Sequence, residues 1–290
     1  MTIAEARSPA SIRRAPIKPA LVLTYVVLIL GAVAMIYPLI WMVMSSFKSD
    51  EEIFSNSAAL PTSIDFKNYI EGWFATTPSF TRYFINSFAI CAGAVLGNVL
   101  ACSLTAFAFA RLEFPFKRTL FTIMLLTLML PSHALLIPQY VLFVNLGWVN
   151  TYLPLIVPKF LATDAFFIFL MVQFIRKIPR ELDEAATIDG CSTFGVFVNI
   201  VFPLLQPAIV TTIIFTFIWT YNDFFSQLIY LTSPDWLTVP VGLRTLVDSS
   251  GGAYGQLLAM SVLSLIPTFL VFLFFQRRLV EGISTSGLKG

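Results

Sequence analysis

Six stretches of this chain, 21–44, 86–110, 119–142, 153–175, 208–231 and 254–275, are apolar over more than 20 residues each. The hydrocarbon layer of a bilayer is about 30 Å thick and takes roughly 20 helical residues to cross. Backbone N–H and C=O groups find no water there, so a spanning segment must satisfy them within itself, as a helix does. The expected fold is therefore an all-α polytopic membrane protein. Six transmembrane helices fill 21–275, between an N-terminal tail at 1–20 and a C-terminal tail at 276–290. Composition agrees: 57% of residues are hydrophobic and 12% charged, with a mean hydropathy of +0.83, whereas soluble domains are about a quarter charged. The first run is not a cleaved signal peptide, because it is too long, lacks a small-residue cleavage site and precedes five more spans.

Basic residues set the expected orientation, since they collect on the cytoplasmic side. With six spans both termini share a side. That side holds Arg7, Arg13, Arg14 and Lys18, then Arg111, Lys117 and Arg118, then Arg176, Lys177 and Arg180, and finally Arg277, Arg278 and Lys289. Only Lys48, Lys67, Arg82 and Arg244 fall opposite, and Lys159 lies inside a span. Both termini and the 176–207 loop are thus expected in the cytoplasm. A net charge of +2 offers no nucleic-acid surface. Cys91, Cys102 and Cys191 form no disulfide framework and, with His133 as the single histidine, no metal constellation. They read as small packing residues. Outside the spans, 45–85 reads as short helices over the outer mouth. The 232–253 segment, with Ser233-Pro234-Asp235 and Ser249-Ser250-Gly251-Gly252, reads as a flexible loop reaching toward a partner.

The 184–203 stretch, EAATIDGCSTFGVFVNIVFP, is the one polar interruption with a pattern. Leu182, Ala185, Ala186 and Asp189 fall at helical spacing, and the alanines allow close approach of a partner. Gly190 suits the left-handed position that ends a helix, and Ser192 or Thr193 can cap the next. Phe194, Phe197, Val198 and Val201 then recur as one apolar stripe. Two short helices at an angle would make a compact knob shaped for a groove on another protein. Glu-Ala-Ala, two residues, Asp-Gly, nine residues and Ile-x-x-Pro together resemble the EAA loop by which permeases of ABC-type importers grip their ATPase subunits. The resemblance assigns ATPase coupling to Glu184, Ala185, Ala186, Asp189, Gly190, Phe194, Ile200 and Pro203.

Further fragments extend the likeness from about Tyr37 to Gly290. They include Tyr37-Pro38-Leu39, Tyr83-Phe84-Ile85-Asn86-Ser87, the 106–115 run AFAFARLEFP, Met129-Leu130-Pro131, Asn150-Thr151-Tyr152, Tyr221-Asn222-Asp223-Phe224 and the closing Ser286-Gly287-Leu288-Lys289-Gly290. In order and spacing they resemble the second permease of maltose-type sugar importers, with Tyr221-Asn222 standing where the family usually has Trp-Asn. The resemblance implies a subunit of the bacterial or archaeal cytoplasmic membrane. It would import a sugar or oligosaccharide delivered by an extracytoplasmic solute-binding protein. A second, related permease (a heterodimer rather than a homodimer) and two ATPase subunits would complete it. ATP and Mg would sit on the ATPases and no cofactor on this chain, which carries no G-x-x-x-x-G-K-[ST] run and no catalytic residues.

Polar groups inside spans are costly and mark pathways. Asn222 and Asp223 lie in the fifth span. His133 and Gln139 flank a kink made by Pro131 and Pro138, and Lys159 and Asp164 lie in the fourth span, where Pro158 suggests a break. Trp219 and Tyr221 could stack on sugar rings. These eight are the candidate substrate pathway, with mutual neutralisation of Lys159 and Asp164 as the alternative role for that pair. Rival readings are an importer of a non-sugar solute and a secondary transporter, which would more often carry inverted repeats and paired intramembrane charges. A membrane-embedded enzyme would need an acid–base or metal cluster.

Overall fold

The computed structural model describes residues 19–55, 60–249 and 253–287, and among them the regular structure is helical throughout. Helix α1 (Pro19–Ser45) is followed by two short helices, α2 (Asp50–Ser55) and α3 (Lys67–Phe74), and by the 32-residue α4 (Phe80–Arg111). Next come α5 (Lys117–Thr127), α6 (Ser132–Asn145), α7 (Leu153–Phe160) and α8 (Ala165–Lys177). The Glu-Ala-Ala segment forms α9 (Glu181–Ile188), α10 (Thr193–Val196), a π-helical turn at Phe197–Val201 and α11 (Phe202–Leu204). The chain ends with α12 (Gln206–Tyr221), α13 (Phe225–Tyr230), α14 (Val239–Ser249) and α15 (Tyr254–Gly287).

The spans are less regular than six uninterrupted helices. Leu21–Ser45, Phe80–Arg111, Leu153–Lys177 and Tyr254–Gln276 are long and apolar enough to cross. Thr193–Leu204 and Gln206–Tyr221 make a fifth only if their 74° bend is counted within one span. The expected third span is divided. Pro131, at the N-terminal boundary of α6, has no N–H to donate, and the ladder stops at 128–131. The fourth span breaks at 161–164, where Ala162 takes a left-handed φ of +53°. The fifth is interrupted at 222–224, between α12 and α13. The last helix runs on from the expected end at Phe275 to Gly287. Residues 1–18 and 288–290 of the two tails lie outside the described residues.

Helix α4 is the centre of the bundle, packed against α7, α8 and α12. Its Gly93 and Gly97 are one turn apart and face α7. A β-carbon on Gly97 would lie 2.8 Å from Phe160 Cδ2 and 3.0 Å from the Lys159 carbonyl carbon; one on Gly93 would lie 2.8 Å from Ile156 Cδ1. Small residues four apart let membrane helices approach closely, and dispersion then replaces the hydrophobic effect, which lipid tails cannot supply. The packed side chains fall into two clusters. One joins Phe107, Met171 and Ile175 to Phe197, Val201 and Ala186 of the loop segment. The other, toward the opposite end, centres on Tyr83, Phe143, Tyr221 and Tyr230. Cys91 and Cys102 are buried, Cys191 is half-buried, and all three thiols are free. In contrast α1 keeps Leu23, Leu28, Leu30 and Met35 exposed on all sides.

At that opposite end the connecting segments are ordered by side-chain amides. Buried Asn86 donates from Nδ2 to Asp235 O (2.9 Å) and Leu237 O (2.7 Å) and accepts from the Tyr152 hydroxyl (2.6 Å). Burial pushes the Tyr152 phenol above its ordinary pKa, against a smaller opposing pull from Arg82. Asn150 Oδ1 accepts from Thr232 N, Thr232 Oγ1 and Ser233 N. The 232–253 segment is therefore not the free loop expected. Val239, Val241 and Leu246 are buried and hold Val239–Ser249 as a helix, while 250–252 lie outside the described residues. The short helices α2 and α3 expected within 45–85 are present, α3 packing on α15.

Gly97→Val should force α7 away from α4 and lower the thermal midpoint of the detergent-solubilised chain by an amount equivalent to about 1–3 kcal/mol, the usual cost of overpacking. An unchanged midpoint would mean that the two helices do not meet at this glycine.

Candidate functional site

The interruptions at 128–131, 161–164 and 222–224 line one cavity of about 780 Å³ between α6, α7, α8, α12 and α13. Unwound backbone at membrane depth is tolerated where it lines such a space. Six of the eight residues nominated from sequence line it: Gln139, Lys159, Asp164, Trp219, Asn222 and Asp223. Asp164 sits at the break near the middle of Leu153–Lys177. Its Oδ2 is 2.8 Å from Lys159 Nζ and accepts from Asn98 Nδ2 at 2.5 Å, and Asn98 also donates to Thr216 Oγ1 at 3.0 Å. Lys159 therefore meets its counter-ion within the chain instead of presenting a free cation.

The other polar groups keep unused hydrogen-bonding capacity. Asn222 gives Nδ2 to Ile218 O (2.8 Å) and retains its carbonyl. Asp223 accepts from Ser226 N at Oδ1 (3.1 Å), capping α13, and among the described residues no cation lies within ion-pair distance of it. Gln139 accepts from Tyr230 at Oε1 (3.2 Å) and retains its amide protons. The Trp219 indole is 51% exposed, its inner side braced by Phe166, Phe167 and Phe215.

Tyr221 is not part of the cavity. Two residues along a helix rotate a side chain by about 200°, so Trp219 and Tyr221 face opposite ways. The Tyr221 ring is buried, stacked on Phe217 at 5.6 Å and beside Phe88. The side chain of His133 lies outside the described residues.

The second feature is the Glu-Ala-Ala segment. Gly190 has φ +88°; its N–H bonds to Thr187 O and that of Cys191 to Ala186 O, the paired pattern that closes a helix on a left-handed glycine. Ser192 Oγ then accepts from Gly195 N at 3.2 Å and caps α10. The apolar stripe read from sequence divides: Phe197 and Val201 are buried in the bundle, whereas Phe194 and Val198 face outward. With Leu182 and Ile188 (86% exposed) they form an apolar surface. Glu184, Ala185, Asp189 and Pro203 are exposed beside it, Ala186 is buried beneath and Ile200 is half-buried.

Sequence reasoning missed two connections. Asn98 joins α4 to the cavity through Asp164, and the cost of a polar group inside the second span could have flagged it. Arg111, counted only as an orienting charge, is the last residue of α4. Its Nε lies 2.6 Å from Asp183 Oδ2, and its Nη2 donates to Ile178 O at 2.8 Å, with side chains 7% and 18% exposed. It clamps the start of α9 to the end of α4.

A polar cavity at broken helices, in a bundle with helices long and apolar enough to cross a bilayer, fits a membrane permease. Residues 93–285 match the family described as binding-protein-dependent transport system inner membrane component, and the chain belongs to it. It is a transport subunit and not an enzyme. The arabinooligosaccharides transport system permease protein AraQ of Halalkalibacterium halodurans is 33% identical over 88% of this chain and 91% of that protein. The trehalose/maltose transport system permease protein MalG of Thermococcus litoralis is 34% identical over 93% of this chain and 98% of that one. A solved bacterial ABC transporter involved in the import of the acidic polysaccharide alginate contains a chain of the same fold. Its TM-score is 0.78 at 22% identity, covering 88% of this chain and 95% of that one.

Arg111→Ala should leave Asp183 uncompensated and destabilise the chain by on the order of 3 kcal/mol, the cost of breaking a buried pair. Limited proteolysis should then cut within Glu181–Ile188 sooner than in the parent. The exchange Arg111→Asp with Asp183→Arg should recover part of the protection, and equal cutting in all three proteins would contradict the clamp.

Proposed function

We propose that this chain is one of two non-identical permeases in an ATP-driven importer that moves a saccharide into the cytoplasm of a bacterial or archaeal cell. The observation that carries this reading is the convergence of Gln139, Trp219, Asn222 and Asp223 on one mid-span cavity, in a chain whose relatives are named over nearly their whole length for oligosaccharide transport. An exposed indole face with amide and carboxylate groups of unused capacity suits a hydroxyl-rich ring. With Lys159 already matched by Asp164, the uncompensated charge is that of Asp223, which favours an uncharged saccharide over a uronate. An importer of a non-sugar solute would share the knob, and what favours a sugar is the exposed Trp219 ring set beside hydrogen-bonding amide and carboxylate groups. A solute-binding protein delivers the substrate at the end bearing α3 and α14. The knob, both termini and the basic flanks face the cytoplasm, where two ATPase subunits that carry ATP and Mg receive Glu184, Asp189, Phe194 and their neighbours.

In this scheme ATPase closure moves the knob. The Arg111 clamp passes that displacement to α4, and α4 carries it to Asp164 through Asn98, about 20 Å along the helix at 1.5 Å per residue. The cavity is thereby exposed alternately to the two sides.

In vesicles containing the assembled complex and its binding protein, Asn222→Ala should lower uptake of a labelled neutral oligosaccharide about tenfold, the loss expected from one hydrogen bond of about 1.4 kcal/mol. Assembly and basal ATP hydrolysis should persist. Undiminished uptake, or loss of assembly instead, would contradict the pathway role. A uronate oligomer of equal length should be carried at least tenfold more slowly, and equal rates would refute the preference for uncharged substrate.

A further inference from the structure

At the knob's end of the bundle two adjoining cavities, of about 520 and 640 Å³, open between the 112–116 turn, the start of α5 and the end of α8. They share Phe109, Lys117 and Arg176, and six basic side chains but only two acidic ones, Glu113 and Glu181, line them. Two of the six cations are committed elsewhere: Arg111 to Asp183, and Lys117 to Glu113 (3.0 Å) and Leu112 O (2.6 Å). The other four, Arg118, Arg176, Lys177 and Arg180, have no carboxylate within ion-pair distance among the described residues. Arg176 and Lys177 lie instead over the rings of Phe121 and Phe174, each at 5.5 Å. Cations gathered without counter-ions repel one another, and an anion relieves this.

The adjoining surface defines the anion further. Helix α5 buries none of its residues, and Leu120, Ile123 and Leu126 run along it as an exposed apolar strip leading away from the cationic cavities into the spanning region. Phe116, 77% exposed at the head of the strip, stands at the boundary between the two. Cations at the mouth with an apolar track running inward match a molecule having a phosphate head and acyl tails. A soluble anion would leave the track unused, and an acidic protein surface would not reach into the bilayer.

We propose that these cavities bind the headgroup of an anionic phospholipid such as phosphatidylglycerol, with Arg118 and Arg176 holding the phosphate and the acyl chains lying along α5. Basic pockets between membrane helices take such headgroups, each Lys or Arg contributing about 1 kcal/mol. The site needs only that the chain spans a membrane, so its failure would leave the saccharide reading untouched.

The test is retention of phosphatidylglycerol or phosphatidylcholine by the purified importer complex, counted by native mass spectrometry during lipid titration. Phosphatidylglycerol should bind at least tenfold more tightly, weakening as salt rises from 50 to 500 mM and screening shortens the reach of the charges. In the double variant Arg118→Gln, Arg176→Gln that affinity should fall on the order of thirtyfold, two charges at about fivefold each. The unmodified complex alone decides the matter if the variant fails to assemble. Equal retention of both lipids would overturn the proposal, as would competition by glycerol phosphate at the same concentration as the whole lipid, which would mark a site for free anions. Release of the ATPase subunits from the variant with lipid retention unchanged would overturn it too, assigning the patch to a protein interface.

Discussion

The arrangement turns on one carboxylate. Asp164 stands where the fourth span loses its helix, a place where unpaired backbone and a naked charge would both be expensive in lipid. Lys159 from the preceding turn and Asn98 from α4 meet that charge, and Thr216 of α12 meets Asn98. Helices α4, α7 and α12 are thus held together by one hydrogen-bonded cluster, beside the cavity that the interruptions at 128–131, 161–164 and 222–224 line. The close approach this demands is permitted by Gly97, against which Phe160 and the Lys159 backbone rest. Removing the break would close the cavity, and removing the cluster would leave the break without support.

Helix α4 gives the cluster its reach. It is unbroken for 32 residues, carries Asn86 near one end, Asn98 in the middle and Arg111 at the other end, and touches each functional region through one of them. Asn86 ties it to the 232–238 segment, Asn98 to the cavity and Arg111 to the base of the knob. The knob itself is two-faced. Ala186, Phe197 and Val201 root it in the bundle, and Leu182, Ile188, Phe194 and Val198 are left outside. A handle must be fixed on one side and open on the other.

Local chemistry made much of this legible from sequence. Apolar length marked the first, second, fourth and sixth spans. Gly190 followed by Ser192 marked the turn in the knob, and polar residues inside apolar runs marked five of the cavity's side chains, with Trp219 marked as an aromatic. The failures share a cause: they depend on what meets what across the bundle. Trp219 and Tyr221 read from sequence as a pair of sugar-stacking rings, although helical rotation alone separates their faces. The stripe from Phe194 to Val201 reads from sequence as one surface, because periodicity does not say where the bundle ends and the open face begins. Pro203 and Pro207 flank the 74° bend before α12 and are a local signal of a break, whereas the Arg111–Asp183 pair leaves no trace in either partner's local sequence. Polarity at Asn98 was visible, but its importance came only from the neighbours brought to it.

On the proposed reading, ATPase motion enters the chain at the open face of the knob. Ile188 and Phe194 are 86% and 66% exposed, and Phe194 leans on the bundle through the Phe197 ring at 6.1 Å, so Ile188→Glu with Phe194→Glu should leave the permease folded. The deciding measurement is ATP-dependent uptake by vesicles bearing that double variant, alongside the amount of ATPase that co-purifies with it. Placing two carboxylates in an apolar interface centre should cost about 2 kcal/mol or more, so both uptake and bound ATPase should fall together by at least tenfold. Full uptake with the ATPases still bound would contradict the account, and uptake that continues in the absence of any ATPase would contradict it more deeply.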